Sequence, residues 1–218
     1  MIHVVRRIDN PLLRLGVVEI QGGAVRPCSS TLASRAVQLA DRLASANYEL
    51  SDDQRQAVRK LLKIGGFSPT GRNRPAHELL LKDLQERGGF HHINNVVDAN
   101  NVISLEALVP ISVFDADKLG DEIEVRFGEP GEAYVFNASG HVLDVKRLIV
   151  CASGGAPVGS PVKDSDATKV FDGATRYLGV MYVPSTFLSA DALDCHVHDF
   201  ATLLASETGG AIVQSAVI

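Results

Sequence analysis

Residues 93–119 constrain the fold most, because they combine apolar runs with Asn and Asp side chains that need hydrogen-bond partners wherever they are buried. An α-helix that begins near Asn94 puts Asn94, Asp98 and Asn101 at positions i, i+4 and i+7, on one stripe. Two interpretations are open. These side chains tie the helix to neighbouring backbone, or they line a polar cleft.

The bulk composition predicts a globular protein with a core of its own. The chain has 218 residues, of which 45% are hydrophobic and 22% are charged. It has no apolar run of the roughly 18 residues that a membrane span needs, and its start lacks the apolar core of a signal peptide. Cys28, Cys151 and Cys195 are odd in number and far apart, which favours reduced thiols over a disulfide framework. We therefore expect a cytoplasmic protein.

The charge is distributed unevenly along the chain. Residues 1–90 carry 14 Lys and Arg against 9 Asp and Glu, a net +5, whereas residues 91–218 carry 7 against 17, a net −10. The basic part is either a solvated helix face or a surface for phosphates. Its candidate side chains are Arg55, Arg59, Lys60, Lys63, Arg72 and Arg74. The chain as a whole is not basic enough to bind nucleic acid by charge alone.

Periodicity and turn residues predict helices first and strands later. The predicted helices cover residues 31–46, 51–63, 75–87, 94–108 and 191–206, and Ser51 with Gln54 forms a capping-box pattern. The predicted strands cover residues 15–21, 122–127, 132–136, 148–152 and 177–183, with a short extended piece after Pro110. This order favours an α+β fold, a layered mixed sheet with helices. We predict a single domain over 1–218, helix-rich in 1–110 and strand-rich in 111–188, with a C-terminal helix in 189–208.

Three local patterns are candidates for chemistry. Cys195, His196 and His198 stand close together, but no second Cys or His cluster with metal spacing exists, so we predict no metal site and no cofactor. Ser153 and Gly154 follow a strand and form either a tight turn or a site where backbone N–H groups meet an anion.

The third pattern is residues 164–175. Lys169 is the lone positive charge among Asp164, Asp166 and Asp172. With Thr168 it is a candidate to bind a carboxylate or a phosphate. The alternative is a turn-rich loop with internal ion pairs.

Four motifs resemble one known family, and with the weaker likeness around them the resemblance spans roughly residues 15–183. They are N-V-V-D at 95–98 with Asn101, P-I-S-V-F-D-A-D-K-L at 110–119, E-I-E-V-R-F-G-E-P-G-E at 122–132 and L-I-V-C-A at 148–152. The chain resembles the editing and tRNA-binding domain of the phenylalanyl-tRNA synthetase beta subunit. Its length suits a stand-alone copy of that domain, and without the synthetase's catalytic module we do not expect it to charge tRNA.

The resemblance implies a layered sheet-and-helix structure with a pocket, which in the synthetase hydrolyses tRNA wrongly charged with tyrosine. The expected partner is tRNA or aminoacyl-tRNA, with an amino-acid-like ligand in the cleft, and neither DNA nor a membrane. The implied catalytic wall consists of Asn94, Asp98, Asn101 and Ser112. The implied substrate-binding residues are Thr168, Lys169, Ser153 and Gly154, and the implied RNA contacts are Arg72 and Arg74.

Ser112 stands where the family motif has a His, and a hydroxyl is not a comparable base. Three functions therefore stay open. The chain is an aminoacyl-tRNA deacylase acting in trans, or a binding module that has lost the reaction. The third is a small-molecule hydrolase, which the acidic balance of 91–218 suits.

Overall fold

The computed structural model describes residues 1–44 and 48–218. The described residues form five α-helices, together with ten strands. The helices are α1 (Ser30–Leu43), α2 (Asp52–Lys63), α3 (Ala76–Arg87), α4 (Asn95–Ala107) and α5 (Ala190–Thr208). No helix in this described part is long and apolar enough to cross a membrane.

The strands lie at both ends of the chain as well as in its middle. They are β1 (His3–Arg6), β2 (Leu13–Gln21), β3 (Ile111–Asp115), β4 (Glu122–Phe127), β5 (Ala133–Val135), β6 (Val142–Asp144), β7 (Ile149–Ser153), β8 (Ala156–Gly159), β9 (Arg176–Pro184) and β10 (Ala211–Val217). One sheet has the order β10-β2-β9-β3 and is antiparallel throughout. A second four-stranded sheet has the order β1-β4-β7-β8 and is mixed, because β1 runs parallel to β4. β5 and β6 pair separately as a two-stranded antiparallel sheet. The α+β class with a mixed sheet is therefore confirmed.

The two four-stranded sheets and the helices form layers around the β2–β9 pair. On one face of the first sheet, Met181 packs with Phe200 of α5 and with residues of α1 and α4. On the other face, Leu178 and Phe114 pack against Val125 of the second sheet. The strand alternation of β9 explains this division, because successive side chains point to opposite faces.

The contact between α5 and β9 is unusually close at one point. A Cβ atom built on Gly179 would lie 2.4 Å from the ring of Phe200. Glycine is required there for space, since nothing at this position demands a left-handed backbone. The aromatic ring thereby rests directly on the strand and fixes the distance between helix and sheet.

Most predicted elements are confirmed, with ends that differ by a few residues. Ser51 and Gln54 form the predicted capping box, in which Ser51 Oγ accepts from Gln54 N–H and Gln54 Oε1 accepts from Ser51 N–H. The predicted end of the first helix at Ala46 lies outside the described residues. The prediction missed β1, β6, β8 and β10. Residues 1–110, predicted as helix-rich, therefore contain β1 as well as the predicted strand β2, and the predicted C-terminal helix is followed by strand β10.

Candidate active-site cleft

A cleft of about 860 Å³ opens beside β3, the edge strand of the first sheet. Helix α4 forms one wall, and a loop within residues 160–172 forms the other. Ile111, Val113 and Val97 give it an apolar lining, and Asp164 and Lys169 bring charge to it. Its volume lies in the range typical of small-molecule sites, roughly 300–1,000 Å³.

Two members of the predicted Asn/Asp stripe lie on the α4 wall. Asn94 is the N-cap of α4, where its Oδ1 accepts from the N–H groups of Val96 and Val97 at 3.1 and 2.9 Å. Its Nδ2 donates to the carbonyl oxygen of Val170 at 3.4 Å, on the opposite wall. Asn101 lines the cleft two turns further along. Asn94 thus serves the fold and the cleft at once.

Asn100, which was not among the predicted site residues, also lines the cleft. Its side chain is only 7% exposed, and its Oδ1 has no hydrogen-bond partner among the described residues. A buried acceptor without a partner is costly, so it marks a place where a ligand N–H group is welcome. The stripe gave no signal for it, because Asn100 lies about 100° round the helix from Asn101, on the side of Val97, which the cleft alone identifies as a lining residue.

Asp98 does not line the cleft but follows the other interpretation of the stripe, in which the side chain ties the helix to neighbouring backbone. It lies one residue, about 100°, further round the helix than Val97. Its Oδ1 accepts from the N–H of Ile93 at 2.8 Å, and its Oδ2 lies 2.8 Å from Nδ1 of His92. Asp98 therefore holds the segment that leads into α4, on the other side of the helix.

Ser112 and Asp164 meet behind the cleft. Since neighbouring side chains on β3 alternate, Ser112 points away from Ile111 and Val113, and it is only 1% exposed. Its Oγ donates to Asp164 Oδ1 at 2.6 Å, and Asp164 Oδ1 also accepts from Ser160 N–H at 3.3 Å. Asp164 remains partly accessible and borders the cleft.

The same network continues inward from Ser112. The Tyr182 hydroxyl lies 3.1 Å from Ser112 Oγ and 3.1 Å from Cys151 Sγ. Burial raises the pKa of Cys151 to about 12 and raises the pKa of Tyr182 well above its usual value. Both groups therefore stay protonated at neutral pH, and Cys151 is not an activated nucleophile.

Asp164 is the group in this network that exchanges a proton near neutral pH. Burial raises the pKa of its carboxyl from 3.8 to about 7, while the hydrogen bonds from Ser112 and Ser160 and the charge of Lys169 offset part of that effect. A carboxyl poised at this pKa is suited to general acid–base chemistry. Asp164 was predicted only as a neighbour of Lys169, with no role of its own.

Residues 68–191, more than half of the chain, match the profile of the B3/4 domain. This chain belongs to the B3/4 domain family. Curated relatives include the phenylalanine–tRNA ligase beta subunits of Gloeobacter violaceus, 37% identical over 99 residues, and of Bordetella pertussis, 32% identical over 91 residues. These matches cover 44% and 41% of this chain but only 12% and 11% of the relatives, so it matches about a tenth of their length.

A solved structure is similar over nearly the whole chain. It is an N-terminal fragment of the phenylalanyl-tRNA synthetase beta subunit from Pyrococcus horikoshii, with a TM-score of 0.50 and 13% sequence identity. The similarity covers 97% of this chain and 50% of that fragment. At this identity the similarity concerns the fold, which places this B3/4 domain among folds of the synthetase beta subunit.

The remaining predicted substrate-binding residues do not lie together in the B3/4 domain. Lys169 lines the cleft, and its Nζ donates to Phe136 O at 2.6 Å and to Asp166 Oδ1 at 3.0 Å. Thr168 is buried, and its hydroxyl donates to the carbonyl oxygen of Val158. Ser153 and Gly154 lie where β7 turns into β8, away from the cleft lining.

The predicted RNA contacts of the B3/4 domain lie on its surface. Arg72 and Arg74 are exposed, and Arg74 lines a second depression of about 510 Å³ together with Arg55 and Arg59. Arg59 is engaged by Glu78 through hydrogen bonds of 2.8 and 2.6 Å. The carbonyl oxygen of Arg72 accepts from Lys163 Nζ at 3.2 Å, and Lys163 also lines the cleft. The hydrogen bond from Lys163 to Arg72 thus connects the exposed arginines to the cleft.

Proposed function

We propose that this B3/4 domain binds the charged end of a tRNA and hydrolyses the ester bond of a mischarged aminoacyl-tRNA, with Asp164 as general base. The observation that carries the proposal is a carboxyl with a pKa of about 7 at the border of a cleft of ligand size. Ser112, expected in the position of a catalytic base, lies behind Asp164 and positions it. The base is therefore supplied from a different residue than the family motif implied.

The reaction needs one water molecule and one proton carrier. The Asp164 carboxylate takes a proton from the water, whose oxygen forms a bond to the ester carbonyl carbon. The tetrahedral intermediate then breaks the bond to the ribose oxygen. The protonated Asp164 returns its proton to that oxygen, which releases a free amino acid and an uncharged tRNA. Lys169, whose charge already acts on Asp164, would stabilise the oxyanion.

The cleft offers separate contacts for the amino acid. The unpartnered Oδ1 of Asn100 would accept a hydrogen bond from the α-ammonium group, and the exposed carboxylate of Asp172 in the cleft lining favours that charge. Ile111 and Val113 would pack against the amino-acid side chain. The ammonium group and the side chain of the amino acid would thereby contact different elements, α4 and β3.

A deacylation assay tests the proposal. The chain is incubated with a panel of mischarged tRNAs, including tyrosine on the phenylalanine tRNA, and release of the amino acid is followed against buffer. We expect at least one pair to be deacylated faster than in buffer. No acceleration for any pair would remove trans-editing. Retention of tRNA without deacylation would instead support a binding module, which the replacement of the family's His by Ser112 favours.

The deacylation rate should rise with pH, because Asp164 is the proposed general base. A general base acts in its ionised form, so the deacylation rate should rise with pH and level off above about 7. The Ser112→Ala variant loses the hydrogen bond that lowers the pKa of Asp164, so the midpoint should move to higher pH. Rates of both proteins across the pH range measure this. An unmoved midpoint would contradict the role given to Ser112, and Ser160→Ala, which keeps the Ser160 N–H bond to Asp164, serves as the control.

Phosphate contact by Arg72 and Arg74 should change the salt dependence of tRNA binding. The Arg72→Gln and Arg74→Gln variants should each weaken tRNA retention and reduce the slope of log affinity against log salt by about 1. Filter binding at several salt concentrations measures the slope. Arg87→Gln, an exposed arginine at the other end of α3, is the matched control and should leave the slope unchanged. Equal slopes for all three variants would move the RNA contact elsewhere.

A further inference from the structure

A cluster outside the cleft brings together three groups that bind metals. Among the described residues, the ligand atoms of Cys28, His92 and Asp98 all lie within 4.8 Å of one another. We infer that this cluster binds one zinc ion, with Cys28 Sγ, His92 Nδ1 and Asp98 Oδ2 as protein ligands. The prediction of no metal site did not consider it, because 64 residues separate Cys28 from His92.

The distances suit a tetrahedral ion. Cys28 Sγ lies 3.5 Å from His92 Nδ1, which equals the separation of roughly 3.5 Å between sulfur and nitrogen ligands at usual zinc bond lengths. His92 Nδ1 lies 2.8 Å from Asp98 Oδ2, and this pair needs to open by roughly 0.5 Å to share one ion. The His92 side chain is 44% exposed, so its ring has room to shift by that amount.

The carboxylate is held ready by the backbone. Asp98 is buried, and its Oδ1 accepts from Ile93 N–H, which leaves Oδ2 directed at His92. Such a second contact orients a ligand before the metal arrives. Glu207 adds negative charge close to Cys28, since it accepts from Ser29 N–H and Ser29 Oγ at 3.0 and 2.5 Å. The site therefore has an anionic surrounding that attracts a cation.

The donor set selects the metal. Magnesium and calcium prefer oxygen ligands, whereas one sulfur, one imidazole nitrogen and one carboxylate oxygen suit zinc. His92 is exposed and Cys28 is partly exposed, so an ion can enter from solvent. Water would fill the fourth position. The bound ion would cross-link the segment before α1 to the start of α4.

A nucleophilic triad is the competing interpretation of a Cys, a His and an Asp in contact. A triad needs the thiol on one ring nitrogen and the carboxylate on the other. Here Cys28 and Asp98 both face Nδ1 of His92. The geometry therefore favours an ion between the three atoms.

Cobalt titration tests the site directly. The reduced, chelator-treated full chain is titrated with Co²⁺, and the near-ultraviolet charge-transfer band of a cobalt–thiolate bond is recorded. We expect one Co²⁺ per chain, a band that saturates, and displacement of the cobalt by Zn²⁺. The Cys28→Ser variant should lose the band, and His92→Ala should bind Zn²⁺ about 100-fold more weakly or worse, since even an outer partner contributes about 10- to 100-fold.

The matched controls are variants of the same residue types outside the cluster. Cys195→Ser and His91→Ala replace an exposed thiol and an exposed imidazole outside the cluster, and both should bind like the wild type. Circular dichroism of each variant checks that it is folded, and Asp98 is left unchanged because it also holds Ile93. The inference is overturned if the wild type binds no stoichiometric metal. It is equally overturned if Cys28→Ser and His92→Ala bind normally, or if Cys195→Ser loses the band.

Discussion

Replacing Asp164 by Asn should lower the rate of aminoacyl-tRNA deacylation by about 10²- to 10⁴-fold, the usual contribution of a positioned general base. The amide keeps an oxygen that accepts from Ser112 Oγ and Ser160 N–H, so the local geometry has no reason to collapse. It cannot take a proton from water. Single-turnover deacylation at neutral pH, with tRNA retention measured in parallel, separates lost chemistry from lost binding.

Asp172→Asn is the matched control for this substitution. Asp172 is an exposed carboxylate that also lines the cleft, and its loss should change the rate only a few-fold. If both variants lose the same activity, the charge of the cleft rather than one base is responsible. An unchanged rate in the Asp164→Asn variant would remove Asp164 from the mechanism.

The stability of the Asp164→Asn variant provides a readout independent of activity. Between pH 4 and 7 the folded state keeps on Asp164 a proton that the unfolded state has lost, because its pKa is raised from 3.8 to about 7. The free energy of unfolding of the wild type therefore falls as pH rises through this window. The variant should lack this contribution and equal or exceed the wild type in stability above pH 7. A deacylation defect in so stable a protein cannot be ascribed to unfolding.

Replacing Phe200 by Ala should lower the free energy of unfolding by about 3–5 kcal/mol, the usual cost of a large aromatic truncation in a packed core. Phe200 is fully buried and rests on Gly179, where no side chain is present to fill the space left behind. The helix layer would lose its closest contact with the sheet. Urea denaturation with an unchanged m-value measures the effect.

Phe171→Ala is the control for the loss of an aromatic ring. Phe171 is 54% exposed at the cleft, so its truncation should change the free energy of unfolding by no more than about 0.5 kcal/mol. Equal losses in the two variants would mean that the contact over Gly179 is not what stabilises α5. The comparison also separates the core from the cleft, since only Phe171 lines the latter.

The local elements were predictable because their signals are local. The capping box of Ser51 and Gln54 fixes the start of α2 within four residues, and periodicity identifies the buried face of α1. β10 was missed although Ile212 and Val213 suit a strand. Its partner β2 lies about 190 residues earlier, and no local pattern announces such a pairing.

The candidate site was predictable only as a region. Asn94 and Asn101 line the cleft, because the helical stripe places them together. Asp98 turns away, because Ile93 N–H and His92 come from a loop whose path the stripe does not determine. The role of Asp164 depends on Ser112, 52 residues away, and on burial that only the packed loop creates. Shifted pKa values arise from tertiary surroundings, so residue type and spacing do not reveal them.

The pairing of β2 with both β9 and β10 determines when, during synthesis, the two edges of β2 are covered. β2 is synthesised before both of its neighbours, which begin at Arg176 and Ala211. At about 5–20 residues per second, the backbone N–H and C=O groups along its edges wait roughly 10–40 s before the second edge is covered. Unpaired strand edges of this kind recruit other chains. The nascent chain is therefore most exposed to aggregation in the interval before β10 has been made, and chaperone demand should peak in that interval.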